Sequence, residues 1–206
     1  MLFDAIKQLV AQDLEAVNHL IMQKIDTESG LAEHLGDYIL DSGGKRIRPL
    51  LALLSAHACG YTGGNLHHIV AAVVEFIHTA TLLHDDVVDE SSLRRGKKTA
   101  NYIWGNQASI LVGDFLFTQS TLLLLDYPHP NIQKLLAQTA FEITRGELKQ
   151  LSNRYNTALS LQDYLEIIRS KTALLFAAST AAGPLLTQDA AHLESAFYHY
   201  GLHLGN

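Results

Sequence analysis

The chain has 206 residues, enough for one sizeable core or at most two small domains. Apolar residues make up 48% and charged residues 17%, a globular balance that excludes a disordered polyelectrolyte. The net charge of −6 argues against nucleic acid as a partner, and basic clusters within so acidic a chain point instead to small anionic ligands.

Leu2, Phe3, Ile6, Leu9, Val10, Leu14, Val17 and Ile21 recur at helical spacing and predict one amphipathic first helix. Its acids, Asp4, Asp13 and Glu15, leave no basic start and no unbroken apolar run of a signal peptide. Thr27 to Gly30 breaks the pattern. A second helix is expected over Leu31–Leu40, closed by Asp41-Ser42-Gly43-Gly44. Pro49 suits the first turn of the next helix, which runs to about Ala58. The only cysteine, Cys59, cannot form an intramolecular disulfide, so a reducing, cytoplasmic location is expected.

Leu66 to Asp89 predicts a long central helix, and Ser91 to Lys98 a polar loop. Apolar helices follow over about Gln107–Leu125 and Asn131–Leu151. Ser160 and Asp163 form a capping box for a helix to about Ala182, which Gly183-Pro184 should close. The last helix starts near Asp189. No strand alternation, linker or fixed-period repeat is seen, and no run of about 18 uncharged apolar residues predicts a transmembrane span. The expectation is a single all-α domain over residues 1–206 with eight or more helices.

Two stretches carry chemistry. His84 to Arg95 reads HDDVVDESSLRR. Asp85 and Asp89 are four residues apart, so they share one helical face, where like charges repel. They also end a helix, where the macrodipole disfavours anions. A divalent cation removes both penalties, and paired carboxylates are how Mg²⁺ is held when waters and phosphate oxygens complete its shell. The plainer possibility is a solvated helix end neutralised by Arg94, Arg95, Lys97 and Lys98. Upstream, Gly43-Gly44-Lys45-Arg46-Ile47-Arg48-Pro49 puts two glycines and three cations at the start of a helix, a position that favours anions. It lacks P-loop spacing, so a nucleoside triphosphate is not favoured. His78 lies two turns before Asp85 on the same face, although a single histidine on an apolar helix is usually a core residue.

These stretches, GGKRIRP and EFIHTATLLHDDVVDESSLRRGK, together with NQASILVGD and SKTA, closely resemble the trans-isoprenyl diphosphate synthases. The resemblance runs in order along the whole chain, and the EFIHTATLLHDD form looks most like the long-chain members that make octaprenyl tails for quinones. It implies an isoprenoid synthase-type helical bundle around a central cavity. It also implies a Mg²⁺-dependent prenyltransferase that adds isopentenyl diphosphate to an allylic diphosphate such as farnesyl diphosphate, usually as a homodimer. By the same resemblance Asp85 and Asp89 would ligate Mg²⁺ with Asp86 in support. Lys45, Arg48, His78 and Arg95 would hold isopentenyl diphosphate, and Arg94, Lys171 and Thr172 would contact the allylic diphosphate. Thr81 and Ala80, four and five residues before Asp85, would leave a product tunnel open, with Phe76 narrowing it deeper.

The family's second aspartate-rich motif is absent from these 206 residues, and its C-terminal helices are expected to be missing. The expectation is therefore a truncated synthase that retains diphosphate-binding residues with impaired activity. The alternative is a non-catalytic subunit of a heteromeric prenyl synthase, which the intact aspartates and arginines argue against. A helical interaction protein without a small ligand and a terpene cyclase are more distant possibilities.

Overall fold

The computed structural model describes residues 2–25 and 45–206. The helix expected over Leu31–Leu40 and the glycine pair Gly43-Gly44 lie outside the described residues. The predicted first helix is two, α1 (Leu2–Gln8) and α2 (Ala11–Ile25). The amides of Leu9 and Val10 bond back only three residues, to the carbonyls of Ile6 and Lys7, which tightens and ends α1. Val10, Leu14, Val17, Ile21 and Ile25 then recur at three- and four-residue steps and are buried as one stripe.

α3 (Ile47–Ala58) leads to α4 (Leu66–Val88), the helix around which the others pack. At roughly 1.5 Å per residue α4 is about 35 Å long. Ile69 to Ile77 are buried without interruption, and every one of them but Glu75 is apolar. α2, α3, α6 (Asn106–Asp126) and α9 (Leu174–Leu186) surround it. The short α5 (Ala100–Trp104) precedes α6, and α7 (Pro130–Ser152) follows it, with Pro130 in its first turn.

The loop after α4 is not wholly irregular. Leu93–Arg94 (β1) and Lys97–Lys98 (β2) pair antiparallel, Leu93 opposite Lys98. The turn between them has positive φ at both central residues, 51° at Arg95 and 77° at Gly96, as a two-residue hairpin requires. Two residues per strand are too few for the alternation that marks a strand in sequence.

Ser160 caps α8 (Leu161–Ile168) as expected, its hydroxyl accepting from the Asp163 amide at 3.1 Å. The helix widens into a π turn over Arg169–Ala173 and continues as α9. Gly183-Pro184 does not close it; α9 runs on to Leu186. Pro184 lacks the amide that would bond the Thr180 carbonyl four residues back. The Ser55 hydroxyl of α3 donates to that carbonyl instead. Gly183 makes this possible, because a Cβ there would collide with Ser55. A 3₁₀ segment (Gln188–Leu193) and α10 (Glu194–Gly205) complete the all-α bundle.

Two helices, α4 and α6, are long and apolar enough to cross a membrane by length and composition. Each carries an acid in the run, Glu75 or Asp114, so neither is an uncharged span. The most apolar window of α4 is 61% buried in the bundle, that of α6 33%.

Candidate active site at the end of α4

α4 ends in a full Schellman turn. The Ser91 amide bonds the Asp86 carbonyl at 2.9 Å and the Glu90 amide bonds the Val87 carbonyl at 3.2 Å. Glu90 therefore sits at φ 51°, where glycine is usual, at a cost of about 1 kcal/mol. The turn folds the chain back on the helix. Asn101 holds it there, donating to the Asp86 and Ser91 carbonyls at 3.1 and 3.0 Å. The returning hairpin brings Arg94 onto Asp86: Nη2 and Nε lie 2.8 and 3.1 Å from Oδ1. Asp86 is only 1% exposed, so this aspartate is committed to an internal ion pair. Asp85 and Asp89 face the other way, Asp85 half-buried and Asp89 exposed.

Opposite them stands the π turn. The extra residue per turn projects Lys171 and Thr172 from an otherwise apolar helix. Lys171 Nζ lies 3.1 Å from Asp85 Oδ2, 3.1 Å from Glu147 Oε2 and 3.3 Å from Gln150 Oε1. Glu147 and Gln150 come from α7, which approaches closely because a Cβ on Gly146 would strike Ser170. Burial raises the Asp85 carboxyl above its usual range, and Lys171 only partly opposes this. Burial and then the Asp85 charge raise Glu147. Burial alone would lower the Lys171 ammonium, but the Asp85 and Glu147 carboxylates turn the net shift upward. Beside this cluster opens a cavity of about 380 Å³. Asp89, Lys171 and Thr172 line its polar side, and Leu151, Leu159 and Ile167 part of its apolar side.

A second, cationic cluster lies earlier on α4. Arg46 takes the left-handed conformation (φ 49°, ψ 41°) at the start of α3, and its Nη1 meets Glu75 Oε1 at 3.1 Å. Two residues on, Arg48 Nη1 donates to His78 Nε2 at 3.0 Å, and its guanidinium lies 4.5 Å from the centre of the Phe176 ring. Burial lowers Arg48 to about 10, with the Arg95 charge adding to the effect. Burial, then Arg48, Arg95 and Arg94, holds His78 well below its usual pKa, so its ring is neutral at pH 7. Burial raises Glu75, against the pull of Arg46, Arg48 and Arg95. Exposed Arg95 thus acts on this cluster through its charge, while Lys45 sits 5.8 Å over Phe3.

The proposed tunnel residues sit differently. Phe76 and Ala80 are packed in the core at 0% and 1% exposure. Thr81 is half-buried, its hydroxyl bonded to the His78 carbonyl at 2.7 Å. None of the three is in the lining of the 380 Å³ cavity. Glu147 and Gln150 were missed in the sequence. Their signal was slight: two polar residues three apart, on a helix whose partner was a π turn no periodicity predicts.

The donor set fits a hard divalent cation. The Asp89 charge helps raise Asp85, both help raise Glu147, the three offer only oxygen ligands, and Glu147 Oε1 is buried with no hydrogen-bond partner. Arg48 Nε is likewise a buried donor without a partner in the cationic cluster.

Residues 30–206 match the polyprenyl synthetase family. Octaprenyl diphosphate synthase of Escherichia coli is 42% identical over 205 residues, all of this chain but 63% of that protein. A nonaprenyl diphosphate synthase of Rhodobacter capsulatus, described as geranyl-diphosphate specific, is 41% identical over 96% of this chain and 60% of its own length. The crystal structure of a polyprenyl synthase from Caulobacter crescentus, complexed with calcium and isoprenyl diphosphate, superposes with a TM-score of 0.93. It is 41% identical, over 98% of this chain and 62% of that one. The chain thus spans less than two thirds of these relatives.

Proposed function

The chain belongs to the polyprenyl synthetase family, and from that premise we propose that it serves a trans-polyprenyl diphosphate synthase. The reaction is the head-to-tail condensation of isopentenyl diphosphate with an allylic diphosphate such as farnesyl diphosphate. An octaprenyl product for quinone side chains is the specific proposal, on the similarity to the Escherichia coli enzyme. The observation that carries the reading is the arrangement on α4. One helix presents an acidic cluster at Asp85 and Asp89 at its C-terminal end and, two turns earlier, His78, on which α3 sets the Arg48 guanidinium.

Asp85 and Asp89 are the residues that would hold Mg²⁺, with Glu147 beside them. Bound there, Mg²⁺ supplies positive charge to the diphosphate as it leaves. Lys171, Thr172 and Arg94 are proposed to contact the allylic diphosphate, and Lys171 is already poised as a cation on Asp85. Lys45, Arg48 and Arg95 are proposed to hold isopentenyl diphosphate. Neutral His78 accepts from Arg48 and so fixes the fork's orientation. In the reaction the allylic C–O bond breaks and the isopentenyl double bond forms the new C–C bond. The proton then lost from the isopentenyl carbon goes to the departing diphosphate. The apolar side of the cavity keeps water from the allylic cation.

A homodimer is the proposed assembly. Its support is an apolar face on α6, where Leu111, Leu122 and Leu125 are 67%, 51% and 64% exposed. Sedimentation at varied concentration tests it, and a strictly monomeric chain would refute it.

The test of function is a pair of measurements on the 206-residue protein. The expectation is Mg²⁺-dependent binding of farnesyl diphosphate that is lost in Asp85→Asn/Asp89→Asn. Turnover with labelled isopentenyl diphosphate is expected to be weak, because the chain contains only one run of paired aspartates. Absence of Mg²⁺-dependent binding would overturn the proposal. Efficient long-chain synthesis would overturn the expectation of weak turnover and reveal the product length directly.

A further inference from the structure

The other end of α4 carries a cluster the diphosphate chemistry does not use. Asp13 projects from α2, His57 from the last turn of α3, and His67 and His68 from the first turn of α4. Asp13 Oδ2 lies 2.8 Å from His57 Nε2, and Oδ1 lies 2.8 Å from His68 Nε2 and 3.3 Å from His67 Nε2. The ligating atoms of Asp13, His67 and His68 all fall within 4.8 Å of one another. Consecutive residues on a helix diverge by about 100°. Yet the His67 and His68 rings turn together, 3.9 Å between centroids, onto one carboxylate oxygen. Some 17 residues of helix separate this cluster from Asp85, about 26 Å at ~1.5 Å per residue.

We propose that Asp13, His67 and His68 form a second metal site, for a zinc-like divalent cation, that clamps α2 to the start of α4, with His57 bracing the other Asp13 oxygen. Two imidazole nitrogens and one carboxylate oxygen suit Zn²⁺, Co²⁺ or Ni²⁺ and not Mg²⁺. A tetrahedral ion with bonds of ~2.0 Å separates its ligand atoms by roughly 3.3 Å. The distance from Asp13 Oδ1 to His67 already matches that, and the 2.8 Å contact with His68 needs to open by about half an ångström. Without metal the His67 and His68 rings face Asp13 through Nε2; with it each Nε2 would be a ligand and each ring proton would sit on Nδ1. Three protein ligands leave the fourth position of a tetrahedral shell to water. His67 Nδ1 is buried without a hydrogen-bond partner, so one ring lacks the outer acceptor that normally braces a ligating imidazole. That lowers affinity about 10–100-fold against a fully braced site.

The test is a calorimetric titration of EDTA-stripped 206-residue protein with ZnCl₂, with excess Mg²⁺ present to occupy the acidic site. One Zn²⁺ per chain is expected. With Zn²⁺ at 100 times its Kd, the folding equilibrium should rise about 100-fold. Asp13→Asn and His68→Asn should each weaken binding at least tenfold, while His203→Asn, exposed on α10, should leave it unchanged. Absence of saturable one-to-one binding, or wild-type affinity in Asp13→Asn and His68→Asn, overturns the proposal. Should those variants not fold, the visible spectrum of the Co²⁺-loaded wild type decides. A tetrahedral ligand-field band supports the site, and its absence overturns it.

Discussion

Lys171→Met tests what holds the acidic cluster together. The ammonium bridges Asp85 and Glu147 at 3.1 Å each. At an effective dielectric of about 20, each contact carries roughly 5 kcal/mol of gross attraction, most of it offset by desolvation of the three charges. Lys171 is 29% exposed, Asp85 12% and Glu147 26%, between the surface and buried limits. Breaking a buried pair costs ~3–5 kcal/mol and an exposed one under ~1. We therefore expect a loss of ~1–3 kcal/mol, or roughly 3–10 °C in Tm for a chain of this size. The deficit must depend on pH. Burial raises the folded-state pKa of both carboxyls, and removing the ammonium raises them further. A raised carboxyl contributes stability that is present below the unfolded pKa and lost as pH rises through the folded one. The variant should thus be weakest at pH 7–8 and approach wild type near pH ~4.5, close to the unperturbed carboxyl range. Mg²⁺ should raise the Tm of Lys171→Met more than that of wild type, because the ammonium no longer competes for Asp85. Thermal denaturation across pH, with and without Mg²⁺, measures all three effects. A variant as stable as wild type at pH 7.5, with a parallel pH profile, would refute the assignment of Lys171 as the clamp.

Glu75→Gln should lower stability by ~2–4 kcal/mol, because Arg46 and Glu75 are each only about a tenth exposed; an unchanged urea midpoint would show that the pair holds nothing. Gly146→Ala should cost ~1–3 kcal/mol by forcing α7 away from the π turn, and Ser170→Gly in the same chain should restore most of it. If the double variant is no better than the single, the contact is not the cause. Ala80→Phe should unfold or strongly destabilise the protein, since Ala80 is 1% exposed in the core; Thr81→Phe should fold. Circular dichroism melts separate the two, and equal Tm values would mean that Ala80 faces open space.

The helices were legible because their signals are local. The Ser160–Asp163 box, the three- and four-residue apolar steps of α2 and the unbroken apolar run of α4 each predict an element from its own residues. The errors fall where a distant contact overrides the local rule. Pro184 reads as a terminator, yet its helix continues because Ser55, on another helix, satisfies the carbonyl that proline strands. The β1–β2 hairpin is visible only in its Arg95-Gly96 turn, because each strand is two residues long. The aspartates and arginines stood out as charges on an apolar background. Their division of labour did not, because Asp86 is distinguished from Asp85 and Asp89 only by the return of Arg94 after a Schellman turn. The π turn that delivers Lys171 packs against α7 too closely for a side chain at Gly146, a distant contact that no pattern within residues 161–186 contains.

α4 is the reason both chemistries sit in one small bundle. Its Ile69–Val74 stretch is apolar on every side, and polar groups fall at its ends, at Glu75, and at His78, Thr79 and Thr81. A rigid helix separates the sites by a fixed length, so the ligands at each end are chosen independently. At the C-terminal end the dipole opposes the aspartates, and burial raises Asp85 further. Both penalties are relieved by the same thing, a nearby cation, and Lys171 supplies it. The N-terminal end already favours a carboxylate, and there Asp13 gathers imidazoles instead of ammonium or guanidinium groups. The two ends therefore differ in the softness of their donors as well as in position: oxygen-only at Asp85 and Asp89, nitrogen-rich at His67 and His68. That difference would let Mg²⁺ at the proposed acidic site and a zinc-like ion at the proposed histidine site be loaded side by side without exchange, as the Mg²⁺-saturated zinc titration requires.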